Sequence, residues 1–319
     1  MRKADWIVEA MTLILGYHET RGSEHGRKLP WEIGLVSFAA FPQANDARKW
    51  KEVVQDIAED PFFDLIEVPP FKEEVWREIQ PIVSRSSKSV FVGLQPMILS
   101  DGRNPSALDE AHRRESVNAL REAIVRASRM GAKSVVLCSG PDPSVTDRQE
   151  AIGMLVKSLV EITSEARDAK VFVHLETFDR DHDKKQLIGP IGEAAEVVKQ
   201  VRKKCQNIGI LWDLSHGPLL NEKPSLLTDF KELITHVHIG CAKIVDGSMK
   251  DWHPGFYRKG AINSIDDVMQ LLQVLRGIGY KGALSFEVKP EGDQEGLEVI
   301  NAAKGVLYTA FAKLMGQKR

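Results

Sequence analysis

The sequence predicts an α/β protein folded as a (β/α)8 barrel with an extra N-terminal segment. Three observations carry that expectation. Eight short apolar runs rich in β-branched residues recur along the chain, and a longer helical pattern follows each of them. No linker or low-complexity stretch divides residues 33–319. Parallel strands joined through helices need right-handed crossovers, and eight such units close into a barrel of roughly 250 residues. An open doubly wound sheet is disfavoured because the first strand is not followed by a GxGxxG turn.

The elements follow in order. IGLVSF (Ile33–Phe38) reads as the first strand, with a helix over Ala47–Ile57. FDLIEV (Phe63–Val68) precedes a helix over Glu73–Ser84, and SVFVGL (Ser89–Leu94) a long one over Leu108–Met130. KSVVLC (Lys133–Cys138) leads to Arg148–Ala166, and VFVHLE (Val171–Glu176) to Glu193–Lys203. IGILWD (Ile208–Asp213) leads to a short helix at Leu226–Leu233, HVHI (His236–Ile239) to Ser264–Gly277, and ALSFEV (Ala283–Val288) to Gly296–Leu314. Gly131, Gly209, Gly279 and Gly282 fall where helices turn into strands, positions that favour left-handed caps.

Residues 1–32 stand outside the repeat and read as an N-terminal extension to the barrel at 33–319. Arg2 and Lys3 precede an apolar run, Ala10–Gly16, but Asp5 and Glu9 break it and no small-x-small cleavage site follows. The pattern fits an amphipathic helix better than a secretion signal, followed by a polar, basic loop from His18 to Lys28. Such an arm either caps the barrel or covers the active site or a partner surface.

Composition narrows the function. The chain has 319 residues, 43 Lys+Arg against 45 Asp+Glu, and a net charge of −2, which excludes a strongly basic nucleic-acid or membrane-surface binder. No apolar run reaches the ~20 residues that span a bilayer. Three cysteines and no CxxC pair fit a reducing compartment, so a cytoplasmic location is expected. The expected partner is a small molecule, with a homo-oligomer or a partner subunit left open.

In such a barrel the active site forms at the C-terminal strand ends. The fifth predicted strand ends in His174-Leu-Glu176, the sixth in Asp213-Leu-Ser-His216, the seventh carries His236-Val-His238, and the eighth ends in Glu287. Six of the nine histidines lie between 174 and 253, a quarter of the chain, where even spreading would place about two. Glu176, Asp213, His238 and Glu287 thus come from four consecutive strand ends. Three carboxylates in one barrel mouth repel, and one divalent cation removes the conflict. The oxygen-rich set suits Mn²⁺ first, or Mg²⁺, with Co²⁺ and Zn²⁺ as further choices. His174 and His236 read as hydrogen-bonded core residues. Glu67, at the end of the second strand, reads as a pocket residue or a rim ion pair, and Trp252 as a stacking surface or a core side chain.

The endings HLETFD, LWDLSHGP, HVHIG and SFEV, in that order, resemble the sugar isomerase/epimerase superfamily of xylose-isomerase-like TIM barrels over roughly residues 33–315. The resemblance implies metal ligands at Glu176, Asp213, His238 and Glu287, and a substrate contact at His216. It implies that Glu176 and Glu287 double as an acid/base pair, abstracting a proton α to a metal-bound carbonyl of a keto-sugar and returning it through an enediolate. Two positions depart from the ketose 3-epimerase pattern. Ile244, with Lys243 beside it, stands where that branch has an arginine, and His182 where it has a glutamate. Substrate contacts are therefore expected from His216, Glu67, His182, Lys243, Asp251, His253 and Trp252. Asp251-x-His253 also resembles the second-metal ligands of the abasic-site endonuclease branch, but the further histidines of that branch are missing at the ends of the second and third strands. The expected activity is that of a divalent-metal-dependent sugar isomerase or epimerase. The runner-up is a metal-dependent lyase or dehydratase acting on a keto-sugar, keto-inositol or 3-keto-glycoside.

Overall fold

A computed structural model describes residues 29–316. The helix expected over Ala10–Gly16 and the loop after it lie outside the described residues. Eight parallel strands form the barrel: β1 (Ile33–Val36), β2 (Leu65–Val68), β3 (Ser89–Gly93), β4 (Ser134–Leu137), β5 (Phe172–Glu176), β6 (Ile208–Asp213), β7 (Ile234–Ile239) and, after the antiparallel hairpin β8 (Lys243–Val245) and β9 (Ser248–Lys250), β10 (Ala283–Phe286). The barrel closes where β1 pairs with both β2 and β10. Each barrel strand lies where the sequence places one, within two residues at either end.

The helices are α1 (Ser37–Ala40), α2 (Ala47–Glu59), α3 (Glu73–Arg85), α4 (Gln95–Leu99), α5 (Glu110–Arg129), α6 (Arg148–Asp168), α7 (Ile191–Arg202), α8 (His216–Leu220), α9 (Ile265–Gly277) and α10 (Gly296–Gly316). Local chemistry starts several of them. Asp46 accepts from the Lys49 backbone N–H and Asp109 from that of His112, and Ser264 and Asp267 form a reciprocal capping box. Each such cap contributes about 1 kcal/mol. The apolar stripe Trp50, Val53, Val54 and Ile57 of α2 shows how a helix covers the barrel wall.

Four local expectations change. Ser37 and Phe38 leave the first strand for α1, and the Ser37 hydroxyl donates to the Glu67 carbonyl at 2.6 Å. The short helix expected at Leu226–Leu233 is a 3₁₀ helix at Pro224–Phe230. The short helices α4 and α8 and the β8–β9 hairpin, absent from the sequence reading, decorate the C-terminal face. Gly131 and Gly279 have the left-handed φ expected of caps, 80° and 69°. Gly209 and Gly282 do not. Gly209 lies within β6, where an added Cβ would come 2.1 Å from the Thr235 hydroxyl oxygen, and at Gly282 it would come 2.3 Å from the Tyr280 hydroxyl.

The space at Gly209 serves the barrel interior. The β6–β7 ladder slips between Ile210/Leu211 and Ile234/His236, a bulge that passes over Thr235. A bulge turns consecutive residues toward one side. Thr235 meets the ring of His174 at 2.9 Å, and the next residue, His236, reaches Glu67. Cys138, Cys205 and Cys241 are buried free thiols. No helix among the described residues is long and apolar enough to cross a membrane. Gly209→Ala should overpack this layer and cost about 1–3 kcal/mol of stability in denaturant titrations. A loss below about 0.5 kcal/mol, typical of a surface change, would contradict the packing described.

Candidate metal centre

The barrel brings its four predicted ligands to one point. Glu176 is opposite Leu211, which is opposite His236, which is opposite Ala283. Counted from that row, Asp213 and His238 are two residues further along their strands and Glu287 is four further along the chain from Ala283. Strands in a barrel of this type tilt by about one residue per strand, so this staircase is a level ring around the barrel axis.

One ligand atom from each of Glu176, Asp213, His238 and Glu287 lies within 4.8 Å of the others. His238 Nδ1 is the hub, 2.7 Å from Glu287 Oε2, 3.7 Å from Glu176 Oε1 and 4.0 Å from Asp213 Oδ2. The two inner carboxylates are each held by one oxygen and bare at the other. Gln95 Nε2 donates to Glu176 Oε2 at 2.7 Å, and the Ser215 backbone N–H donates to Asp213 Oδ1 at 2.7 Å. Glu176 Oε1 and Asp213 Oδ2 are buried with no hydrogen-bond partner. Buried anionic oxygens without a partner cost several kcal/mol each unless a cation faces them. The donor set therefore fits a divalent ion, and three carboxylates with one imidazole favour a hard one.

The charges agree. Burial pushes the Glu176 carboxyl up to about 8, and Glu287 and Asp213 add to it against the pull of His238. Burial also acts on Glu287, but His253 and His238 outweigh it and hold that carboxyl below its usual value. His238 stands well above the imidazole range because Glu67 and Glu287 overcome its burial.

A cavity of about 490 Å³ opens over the centre, lined by Phe38, Gln95, Pro96, Leu99, Phe178, Lys184, Asp251, Trp252, His253, Glu287 and Lys289, among others. Trp252 is 43% exposed on its wall. His253 has a left-handed backbone (φ 52°), and its Nε2 is 2.7 Å from Asp251 Oδ1 while its Nδ1 is buried without a partner. A wider cleft of about 770 Å³, on the outer wall between α3, α5 and α6, is lined by salt-bridging side chains and holds none of the predicted site residues.

The other predicted substrate contacts lie elsewhere. His216 is fully buried behind Asp251. Its Nδ1 meets the Thr177 carbonyl at 2.7 Å and its Nε2 meets Asp251 Oδ1 at 3.1 Å. Both partners only accept, so the ring carries both protons. Asp251 and Asp213 accordingly outweigh burial and hold it well above its ordinary range. Glu67 is fully buried beneath the metal centre, bonded to His236 and His238, and not at the rim. Lys243 is ion-paired with Glu291 beside Trp252, and does not line the cavity. His182 belongs to a loop wound around buried Asp179, whose carboxylate accepts the backbone N–H groups of His182, Asp183 and Lys184. Its ring is not part of the cavity wall. His174 and His236 are buried in the core, and burial holds His174 well below its usual range, hence neutral.

Residues 54–303 match the xylose isomerase-like TIM barrels. The chain belongs to that family. It is 26% identical over 212 residues to the uncharacterized protein MJ1311 of Methanocaldococcus jannaschii, covering 62% of this chain and 68% of that one. Similar solved structures include an L-ribulose 3-epimerase (TM-score 0.69, 18% identity, 90% of this chain and 98% of the other). Others are an IOLI protein with a bound zinc atom (0.69, 16%, 90% and 100%) and a D-psicose 3-epimerase from Clostridium cellulolyticum H10 (0.66, 17%, 89% and 98%). At such identities the likeness is one of fold.

Gln95 is the residue sequence reasoning passed over. Its signal was only its place at the end of the third predicted strand. Because Glu176 holds a proton near neutrality, a cation must displace it. Mn²⁺ affinity should fall at least about 50-fold from pH 8 to pH 6, since His238 must also give up a proton, with proton release on binding in calorimetric titrations. Equal affinity at the two pH values would remove Glu176 from the ligand set.

Proposed function

We propose that this chain is a divalent-cation-dependent isomerase or epimerase of a keto-sugar. The observation that carries the reading is the pair of bare, buried oxygens on Glu176 and Asp213 beside His238 and Glu287, at the floor of a sugar-sized cavity. The fold neighbours named as sugar epimerases support it.

When bound, a divalent cation supplies Lewis acidity that makes the C–H beside a ketone acidic. Glu176 and Glu287 reach the centre from strand ends on either side of Asp213 and His238. One carboxylate takes the proton from carbon, and the other returns a proton from the opposite face, so configuration inverts. Gln95 orients Glu176 through its 2.7 Å hydrogen bond. His216 orients Asp251, and Asp251 orients His253, whose free Nδ1 faces the site. Trp252 and Phe38 offer apolar wall to a sugar face.

His253 favours a second reading. Burial lowers it, yet Glu287, Asp251 and Asp213 raise it to about 9, so it is an imidazolium at the cavity wall. A protonated group there could assist departure of a hydroxyl or glycosidic oxygen, which is the lyase or dehydratase reaction on the same keto-sugar frame.

Mn²⁺-loaded protein with a panel of keto-sugars in D₂O separates the two. Deuterium entering one carbon without loss of water identifies the epimerase, and loss of water or an aglycone identifies the lyase. Chelation should abolish turnover and Mn²⁺ restore it best; full activity of metal-free protein would refute both readings. Glu287→Gln should lower kcat about 10²–10⁴-fold. Lys243→Ala, outside the cavity, should leave it nearly unchanged, and comparable losses would unseat the proton-transfer assignment.

A further inference from the structure

We infer that Glu67 is the positioning residue for the metal ligand His238, fixing which of its ring nitrogens faces the cation. The inference rests on the metal-centre reading above. Glu67 comes from β2, three strands around the closed barrel from β7, and is fully buried. Its backbone is pinned from the other side, where the carbonyl accepts the Ser37 hydroxyl. Among the described residues, its side-chain hydrogen bonds go to two imidazoles. Oε1 is 2.7 Å from His236 Nε2 and 3.3 Å from His238 Nε2, and Oε2 is 3.4 Å from His238 Nε2.

A carboxylate only accepts. His238 Nε2 therefore carries a proton toward Glu67, so Nδ1, the atom at the hub of the four candidate ligands, is the nitrogen a cation takes when it displaces the proton shared with Glu287. A ring with the opposite tautomer would present N–H to the cation and could not bind it. Outer partners of this kind set the tautomer and the ring plane of metal-bound histidines. Glu67 is in turn held by His236, whose Nδ1 lies 3.1 Å from the Ala283 carbonyl. The His236 ring packs edge-on against His238 and is flanked by Phe91 and His174. The result is a fixed floor beneath the metal centre.

Glu67, His236 and His238 are also close enough together to hold a cation themselves. Their facing atoms are already bonded to one another, whereas the bare oxygens belong to Glu176 and Asp213 above. One ion per chain is therefore expected.

The test is calorimetric titration of the full chain with Mn²⁺, together with imidazole ¹⁵N spectra of the Zn²⁺-loaded form. Wild type should bind one ion, and Glu67→Ala should bind it 10–100-fold more weakly. Glu67→Gln, which leaves no hole and keeps an acceptor oxygen, should lose less and covers the case in which the alanine variant does not fold. The wild-type spectrum should show a proton on His238 Nε2 and the ion on Nδ1. An affinity for Glu67→Ala within twofold of wild type, metal on His238 Nε2, or a second ion lost with Glu67 would each overturn the inference. Wild type that binds no ion at all would instead defeat the metal centre itself.

Discussion

Carboxylates from three strands converge on one imidazole at a buried point, and the upper half of this barrel is organised around that convergence. Like charges in a buried site repel, and each bare oxygen lacks a hydrogen-bond partner there. The protein relieves part of the conflict itself. Gln95 and the Ser215 backbone N–H occupy the outer oxygens of Glu176 and Asp213, and His238 draws Glu287 close. What is left over, two inward oxygens and a proton on Glu176, is a demand that a divalent ion would meet.

Beneath and beside the centre, two further polar groups keep its geometry. Glu67 joins β2 to β7 through a pair of imidazoles, and Asp251 joins the loop after β9 to His216 and His253. Both are buried carboxylates held ionised because imidazoles on two sides overcome the effect of burial. Such fully bonded polar groups restrict the arrangement of the mouth more than an apolar filling would. Around them the cavity wall mixes apolar side chains such as Phe38, Pro96 and Trp252 with charged ones such as Lys184, Glu287 and Lys289.

The strand ends were legible because chemistry in a parallel barrel follows a positional rule. A Glu, Asp or His near the C-terminal end of a strand can face the mouth, and the four candidate ligands followed from that rule. Contacts were less legible the longer their range. Glu67 occupies a strand end, as a rim residue would, yet it points beneath the ring, and only its pairing with His236 across the barrel shows this. His216 follows Asp213 by three residues, but α8 turns it away from the cavity and toward Asp251. Lys243 and Asp251 both belong to the segment after β7, and although the hairpin β8–β9 pairs Lys243 with the neighbour of Asp251, one side chain goes to Glu291 and the other to the site.

The sequence by itself determined the architecture and which residues are the candidate ligands, because periodicity and strand-end position are local properties written in neighbouring residues. The tertiary structure alone decided the register. It supplied the bulge at Thr235, the space left at Gly209, the staircase that levels four ligands into a ring, and the division of polar residues between cavity wall and buried support. Those depend on strand tilt and on which side chains meet across the barrel, and separation along the chain carries no record of either.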